Sequence, residues 1–122
     1  MRLLLDTHAF LWLVAGDDRL PTTARELVDA AEEVLLSSAS VWEAEIKRAA
    51  GRLDAPPIAA AAERASIGSL AIAREHATAA AHLPPHHRDP FDRMLVAQAR
   101  CESLVLVSKD ESVRRYGVAV AW

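Results

Sequence analysis

The sequence predicts an α/β fold in which helices cover both faces of a parallel sheet. Three short apolar runs, Leu3–Leu5, Val34–Leu36 and Leu104–Val107, have the length and composition of strands buried on both faces. Helical segments lie between these runs, and such alternation implies right-handed crossovers and parallel pairing. The chain has 122 residues, of which 52% are hydrophobic, so we expect a single domain over residues 1–122.

The first helix is predicted over Thr7 to Ala15, and it is unusually apolar. Thr7 can cap its start and Gly16 can end it. Every residue from Ala9 to Ala15 is apolar, whereas a helix that packs on a sheet needs only one apolar stripe. Either this helix is deeply buried in its own domain, or one face packs on the sheet while the other, with Trp12, meets a partner.

The remaining elements follow from helix signals and proline breaks. Pro21 suits the first turn of a second helix, and a third helix is predicted to begin at Val41 and to end at Gly51. The later predicted elements are an alanine-rich helix from Ile58 to Ala65, a short strand at Leu70–Ile72, helices from Arg74 to about His82 and from Pro90 to about Cys101, a short helix reaching Tyr116, and a last strand at Val118–Val120.

Composition limits the compartment and the binding partners. The net charge of −3 gives no general attraction to nucleic acid or anionic membranes, so RNA binding would need a local basic patch. The single cysteine, Cys101, cannot form an internal disulfide, which favours the reducing cytoplasm, and its apolar helical surroundings predict a buried, inert thiol. No apolar stretch approaches the ~18 residues of a membrane span, and Asp6 interrupts the run that could begin a signal peptide.

Acidic side chains follow the predicted strands or open the predicted helices. Asp6 directly follows the first strand, and Asp110 follows the run Leu104–Val107. Glu43 and Asp92 fall in the first turns of predicted helices, and Asp89 lies just before the second of these. The carboxyl ends of parallel strands meet at one edge of a sheet, and open α/β sheets bind ligands there. We therefore expect these acids to gather at that edge.

Each acid also has an ordinary structural explanation. Glu43 can complete a capping box, while Asp89 and Asp110 can cap helices. Asp92 can complement the dipole of its helix. Asp6 is harder to explain in this way, because an acid that follows a buried strand needs partners.

Taken together, the acids predict a cation site. Carboxylates that share a crevice raise one another's pKa unless positive charge lies among them, and no cluster of lysines or arginines is placed to supply it. Mg²⁺ or Mn²⁺ suits oxygen ligands, and such sites activate water and stabilise phosphate in nucleases. Zinc is disfavoured because His86 and His87 are adjacent and would not converge like a helical pair. We expect His8 at the rim of the site as a hydrogen-bond partner.

Several segments, in this order and spacing, carry a resemblance to a known family. They are Leu5–Trp12, Ser40–Glu43 followed by Lys47, Arg88–Arg93, Ser108–Asp110 and the tail Tyr116–Trp122. On these segments, the chain resembles the PIN-domain ribonucleases, and within them the VapC-type toxins of bacterial type II toxin–antitoxin pairs. The resemblance covers essentially the whole chain.

The resemblance implies a three-layer α/β/α PIN-like domain with a parallel five-stranded sheet. It implies an endoribonuclease in which Mg²⁺ or Mn²⁺ activates water to hydrolyse RNA phosphodiesters. The catalytic and metal-binding residues would be Asp6, Glu43, Asp92 and Asp110, with Asp89 as an additional candidate metal ligand. Beyond the resemblance, we expect five residues to be candidates for orienting water or contacting phosphate: Ser108, Arg88, Arg93, Lys109 and Arg114.

The resemblance also implies a cognate VapB-like antitoxin that blocks the acid pocket. We expect it to dock on the first helix through Phe10, Trp12 and Leu13, and we expect a homodimer that uses another apolar surface. Two other functions stay open. A haloacid-dehalogenase-like phosphatase needs a second acid two residues after its nucleophilic aspartate, and this chain has His8 there. A non-catalytic binding module of the same fold would use the acids only as helix caps.

Overall fold

The computed structural model describes residues 1–122, and five parallel strands form one sheet. The strands are β1 (Arg2–Leu5), β2 (Glu33–Ser37), β3 (Gly68–Leu70), β4 (Val105–Val107) and β5 (Val120–Ala121). Their order is β3-β2-β1-β4-β5, and every neighbouring pair is parallel. The direction of winding therefore reverses between β1 and β4. This position is a topological switch point, where open α/β sheets bind their ligands.

Seven helices cover the two faces of the sheet. They are α1 (Thr7–Ala15), α2 (Thr22–Ala30), α3 (Ser38–Ala49), α4 (Ile58–Arg64), α5 (Arg74–Ala81), α6 (Pro90–Glu102) and α7 (Glu111–Arg114). Side chains of α1 to α4 pack on one face, and side chains of α5 to α7 pack on the other. The predicted three-layer α/β/α arrangement with a five-stranded parallel sheet is confirmed.

Strand β1 is the centre of both apolar layers. Leu3 and Leu5 pack with Phe10 and Leu36 on one face, while Leu4 packs on the other face against α6. All three leucines of β1 are buried. Replacing a leucine in such a position by alanine typically costs about 2–5 kcal/mol. The rigid centre of the sheet thus fixes the position of Asp6, the residue that follows it.

Two predictions about helix starts were wrong. Asp6, rather than Thr7, caps α1, and the backbone of Gly16 ends this helix with φ +64°. Helix α3 begins at Ser38 instead of Val41, because the Ser37 hydroxyl accepts a hydrogen bond from the Ala39 N–H at 3.0 Å. Glu43 therefore lies in the second turn of α3 and forms no capping box.

Two strands and one cysteine also differ from expectation. Strand β3 lies two residues before the predicted Leu70–Ile72, and β5 begins two residues after the predicted start at Val118. Cys101 is exposed, so the prediction of a buried thiol was wrong. It lies in the last turn of α6, where the helix leaves the core after its buried stretch Leu95–Ala99. None of the helices combines the length and apolar character that a membrane span requires.

The apolar surface of α1 is largely covered by the chain itself. Phe10 is buried, and the four residues Leu11–Val14 are half-buried and pack against the apolar core on this face of the sheet. The Trp12 ring meets the Trp122 ring edge-on, with a centroid distance of 5.6 Å. The helix is thus mostly covered within its own domain, and one edge remains open; contact of this edge with a partner stays a prediction.

Candidate active site

Asp6 lies at the switch point between β1 and β4. Its carboxylate caps α1 by accepting a hydrogen bond from the Ala9 N–H at 2.7 Å, and its own N–H donates to the Val107 carbonyl at 3.1 Å. Burial raises the pKa of Asp6, although the hydrogen bonds from Ala9 and Ser108 partly oppose it. The negative charge of Asp110 raises this pKa further. Asp6 is therefore a buried acid that is costly to ionise without a cation.

Glu43 points toward the start of α1. One carboxylate oxygen accepts a hydrogen bond from the Thr7 hydroxyl at 2.6 Å, and the other lies 3.8 Å from the ammonium of Lys47. Thr7 thus orients an acid of another helix instead of capping its own. Lys47 and Glu43 are four residues apart on α3, so this pairing is a local helical one.

Asp92 shows the strongest electrostatic perturbation in the site. It lies in the first turn of α6 and is partly buried. Burial and the nearby charge of Asp89 raise its pKa to about 7, with further contributions from Glu43 and Asp6, while His87 lowers it. Three other acids are therefore close enough to disfavour its ionisation. The surplus of negative charge predicted for this edge of the sheet is present.

Asp89 and Asp110 are helix caps, as their ordinary explanation predicts. Asp89 accepts a hydrogen bond from the Phe91 N–H, and Asp110 accepts one from the Ser112 N–H, each at 2.8 Å. Burial opposes the ionisation of Asp110, but hydrogen bonds from Ser112 and His87 outweigh it and hold its pKa below the ordinary value. Asp110 is thus ionised more readily than Asp92.

His87 is the residue that the sequence interpretation missed. Its Nε2 atom lies 2.8 Å from Asp110 Oδ2 and 3.2 Å from Asp92 Oδ2. One ligand atom from each of these three residues lies within 4.8 Å of the other two. The sequence argument against zinc gave His87 no role, because His87 and His86 are adjacent and do not converge like a helical pair. Its position two residues before the helix cap Asp89 was the available signal, because that loop leads straight into the acid cluster.

The donor set fits a hard divalent cation better than zinc. The Nδ1 atom of His87 accepts a hydrogen bond from the Asp89 N–H at 3.0 Å, so Nε2 carries the proton of the neutral ring and has no lone pair for a metal. The atoms left to hold a cation are carboxylate oxygens, which Mg²⁺ and Mn²⁺ prefer. The candidate ligands are Asp6, Glu43, Asp92 and Asp110, with Asp89 beside them.

A cleft of about 250 Å³ opens beside Asp6 and Asp110. His8 is exposed and lines this cleft, in keeping with a position at the rim. The ammonium of Lys109 lies 5.5 Å from the centre of the Trp12 ring in the same cleft. A cationic and an aromatic side chain thus border the two acids that flank the switch point.

The other candidates for phosphate contact differ in their surroundings. Ser108 is buried, accepts a hydrogen bond from the Asp110 N–H at 3.1 Å and contacts Asp6, so it faces the acids rather than solvent. Arg93 donates to the carbonyl oxygens of Ala80, Leu83 and Pro84 at 2.9, 3.0 and 3.0 Å, which leaves it unavailable for phosphate.

Arg114 donates to the Trp122 carbonyl at the end of the chain. Arg88 is exposed and forms neither a hydrogen bond nor an ion pair. Together with Lys109, Arg88 therefore remains the candidate most available to a phosphate.

A larger groove of about 710 Å³ runs along α1. Leu11, Trp12 and Val14 line it, and His8 and Lys47 extend it toward Glu43. Of the three residues expected to meet a partner, only Trp12 borders this groove. The expectation for Phe10 was wrong because its side chain is buried, and Leu13 borders a separate recess beside Val28 and Val34.

A second group of potential ligands, Glu75, His76 and Glu102, lies at the start of α5. His76 is buried, its Nδ1 atom accepts a hydrogen bond from the Ala73 N–H at 2.9 Å, and its Nε2 atom lies 3.0 Å from Glu102 Oε1. By the same reasoning as for His87, Nε2 of His76 is a hydrogen-bond donor and not a metal ligand.

Solved structures share this fold along almost the whole chain. DNA-bound VapBC from Salmonella typhimurium has a TM-score of 0.75 at 19% identity, and the match covers 99% of this chain and 97% of that chain. VapBC2 from Rickettsia felis, bound to a fragment of promoter DNA, has a TM-score of 0.71 at 12% identity, covering 100% and 99%. A toxin–antitoxin complex from Klebsiella pneumoniae has a TM-score of 0.70 at 15% identity, covering 98% and 96%.

The identity of the family comes from the sequence itself. A comparison with curated proteins finds no match. The family model of the PIN domain, in contrast, matches residues 3–119. This range includes all five acids of the candidate site. The chain belongs to the PIN-domain family.

Proposed function

We propose that this chain is a Mg²⁺- or Mn²⁺-dependent endoribonuclease and the toxin of a toxin–antitoxin pair that acts in the cytoplasm. The observation that carries the proposal is the surplus of carboxylates around Asp92, whose pKa is raised to about 7. A divalent cation removes this electrostatic cost directly, and cation sites of this kind are common in nucleases. Membership in the PIN-domain family supports the same chemistry.

In this proposal Asp6 and Asp92 hold the cation, and Glu43 and Asp110 complete or extend its coordination. A divalent cation bound there supplies the Lewis acidity that activates a water and offsets the charge of a phosphodiester. The Thr7 hydroxyl fixes the direction of Glu43, and a backbone N–H fixes that of Asp6. The ligands are therefore oriented before substrate arrives, which limits reorganisation during the reaction.

The RNA substrate would approach across the rim of the acid site. The net charge of −3 provides no long-range attraction, so phosphate contacts must be local. Lys109 and Arg88 are exposed cations close to the acids in the chain, and neither forms an ion pair. We assign phosphate contacts to these two residues, and a supporting role for Asp6 to Ser108.

A binding module of the same fold is the second candidate function. Its support is that Asp6, Asp89 and Asp110 all cap helices. Capping does not account for Asp92, which accepts no backbone hydrogen bond and carries the largest pKa shift of the acids. It does not account for Glu43, which faces α1 from a different helix. We therefore favour the nuclease.

The decisive experiment is RNA cleavage by the purified chain with Mg²⁺, with Mn²⁺ and with EDTA. We expect cleavage with either ion, loss of cleavage with EDTA, and loss of cleavage in Asp6→Asn. Asp18→Asn is a matched control, because Asp18 is an exposed acid in a turn. Cleavage that resists EDTA would contradict the metal mechanism. A well-folded chain that cuts none of a broad set of RNAs would favour the binding module.

The groove along α1 is the proposed docking surface for the antitoxin. Apolar Leu11, Trp12 and Val14 can receive one face of an amphipathic segment. The groove continues to Lys47 and so to Glu43, which lets a basic residue of the antitoxin reach the acids and stand in for the cation. The proposed homodimer would use another surface, and Trp42 and Ile46 are exposed apolar side chains on α3, the helix that carries Glu43.

Two variants of α1 separate docking from general packing. Trp12→Gln alters the groove, whereas Leu13→Gln alters the separate recess beside Val28. We expect the first variant to weaken binding of the antitoxin at least tenfold and the second to leave it within about twofold, with affinity measured by calorimetry. If both variants bind the antitoxin with the affinity of the wild type, the antitoxin does not dock in this groove.

A further inference from the structure

The hydrogen bonds of His87 determine which of its two ring nitrogens carries the proton. A backbone N–H can only donate, so the contact from Asp89 N to His87 Nδ1 at 3.0 Å requires a lone pair on Nδ1. The ring proton is therefore on Nε2, which donates to Asp110 Oδ2 at 2.8 Å and lies 3.2 Å from Asp92 Oδ2. The histidine therefore donates to Asp110, and the same Nε2 atom lies within ion-pair distance of Asp92.

The loop that carries His87 is held from two sides. The backbone N–H of His87 donates to the hydroxyl of Tyr116 at 2.8 Å, and Tyr116 is buried. Arg93 donates to the carbonyl oxygens of Leu83 and Pro84, which begin the same loop, at 3.0 Å each. A donor supported in this way has little freedom to move. Arg93 thus supports the position of His87 instead of contacting phosphate.

The contacts of His87 also determine how Asp110 is oriented. Asp110 Oδ1 accepts a hydrogen bond from the Ser112 N–H, and Asp110 Oδ2 accepts one from His87 Nε2. Both carboxylate oxygens of Asp110 therefore have a hydrogen-bond partner. Each oxygen keeps a second lone pair, which leaves the carboxylate able to bind a cation. Asp92 Oδ2 lies 3.2 Å from the Nε2 atom that donates to Asp110, so one polar group of His87 lies between two carboxylates that repel each other.

We propose that His87 is a positioning residue of this site, whose Nε2–H group holds the Asp110 carboxylate and keeps Asp92 beside it, in the orientation that takes a divalent cation. This inference rests on the proposed function, since it assigns a supporting role at the same site. His87 neither binds the cation nor touches the substrate. Groups that orient metal ligands in this way typically contribute 10–100-fold to metal affinity.

The test is Mn²⁺ affinity, measured by calorimetry on the full chain. His87→Phe keeps a ring but removes the donor, and we expect it to weaken Mn²⁺ binding about 10–100-fold. His87→Gln can place an amide N–H near the position of Nε2, and we expect it to stay within a few-fold of wild type. His86→Phe is the matched control, because His86 is exposed, its ring packs edge-on against that of Tyr116, and its side chain forms no hydrogen bond or ion pair with the acids.

Cleavage supplies a second readout. In His87→Phe the rate of RNA cleavage should fall at low Mn²⁺ and recover as Mn²⁺ approaches saturation, because the defect lies in metal binding. If this variant does not fold, His87→Asn takes its place, since the shorter amide cannot reach the two carboxylates. Mn²⁺ affinity in the donor-free variant that equals or exceeds the wild-type value would overturn the inference. A wild-type chain that binds no Mn²⁺ would overturn the proposed function as well.

Discussion

Two clusters in this molecule share one local geometry and differ in their surroundings. In each, a histidine accepts a backbone N–H at Nδ1 and presents Nε2 to carboxylate oxygen: His87 to Asp92 and Asp110, and His76 to Glu102. Around Asp92, three further acids add negative charge and the pKa of Asp92 rises to about 7. Around His76 there are only two acids, Glu75, which is exposed, and Glu102, whose Oε1 atom lies 3.0 Å from Nε2.

The comparison of the two clusters indicates that an excess of negative charge, more than the number of potential ligands, distinguishes a cation site. His76 is buried at the start of α5, where it accepts the Ala73 N–H and donates to Glu102, while the second acid, Glu75, is exposed to solvent. That cluster is satisfied as it stands, so its role is to hold α5 against α6. The cluster around Asp92 carries more carboxylates than donors, so its repulsion is relieved either by a proton on Asp92 or by an added cation.

The largest expected effect separates Asp92 from Glu102. Asp92→Asn removes a ligand of the proposed cation, so we expect RNA cleavage to fall by roughly a thousandfold, equivalent to about 4 kcal/mol of transition-state stabilisation. Glu102→Gln removes an acid from the other cluster and should leave cleavage within about twofold. Single-turnover kinetics at saturating Mg²⁺ measure both. Comparable losses of cleavage in the two variants would contradict the claim that only the cluster around Asp92 takes part in the reaction.

The next effect concerns stability. His76→Ala removes a buried ring and leaves the Ala73 N–H without its acceptor, so we expect a loss of about 2–3 kcal/mol in the free energy of unfolding. Mn²⁺ affinity should stay unchanged. Urea denaturation and calorimetry provide the two measurements. A loss of Mn²⁺ affinity with stability retained would mean that the second cluster binds metal after all.

The third effect is a pH dependence of the metal-free chain. The pKa of Asp92 is 3.8 in the unfolded chain and about 7 in the folded chain. At pH values between these two, the folded chain therefore holds a proton that the unfolded chain has released. The free energy of unfolding therefore falls as pH rises from about 4 to about 7 and then levels off. We expect Asp92 to contribute a loss of about 2 kcal/mol, because solvent screens part of its shift.

Denaturation in EDTA at several pH values, compared between wild type and Asp92→Asn, isolates this contribution. The variant should be the more stable protein above pH 7, and the gap should close toward pH 4. Saturating Mn²⁺ should abolish the loss in the wild type, because the ionised carboxylate then binds the ion. A gap that does not change with pH would contradict the raised pKa of Asp92.

The smallest effect is expected at Asp89. Asparagine caps helices about as well as aspartate, so Asp89→Asn should keep the hydrogen bond to the Phe91 N–H and leave stability almost unchanged. Removal of its charge should lower the pKa of Asp92, and cleavage should fall only a few-fold. Steady-state kinetics and a pH titration of stability test these points. A loss of RNA cleavage as large as that of Asp92→Asn would indicate instead that Asp89 is a direct metal ligand.

Sequence patterns were sufficient where one local rule governs an element. The apolar runs of β1, β2 and β4 predicted the parallel sheet, and the edge reached by Asp6 followed from that topology. Boundaries were less predictable where two caps compete. Ser37 and Ser40 can each begin α3, and only the fold selects Ser37. The choice shifts Glu43 to the second turn, where it meets Thr7 instead of its own helix start.

Long-range partners account for what the sequence could not supply. His87 meets Asp110 across 23 positions of the chain, and no periodicity encodes such a contact. Arg93 was one of the candidates for phosphate contact, yet backbone carbonyls of a loop about ten residues earlier bind its guanidinium. The exposure of Cys101 likewise depends on where α6 leaves the core, which its apolar neighbours do not reveal.

The central claim is that the acids at the β1–β4 switch point bind a divalent cation that their surplus charge requires. The most direct measurement is the melting temperature of the wild type, Asp92→Asn and Glu102→Gln with increasing Mn²⁺ in the absence of RNA. A ligand that binds only the folded chain stabilises it by mass action. We predict a rise in melting temperature that saturates for the wild type and Glu102→Gln and is absent in Asp92→Asn. An identical rise in all three proteins, or no rise in any, would contradict the account.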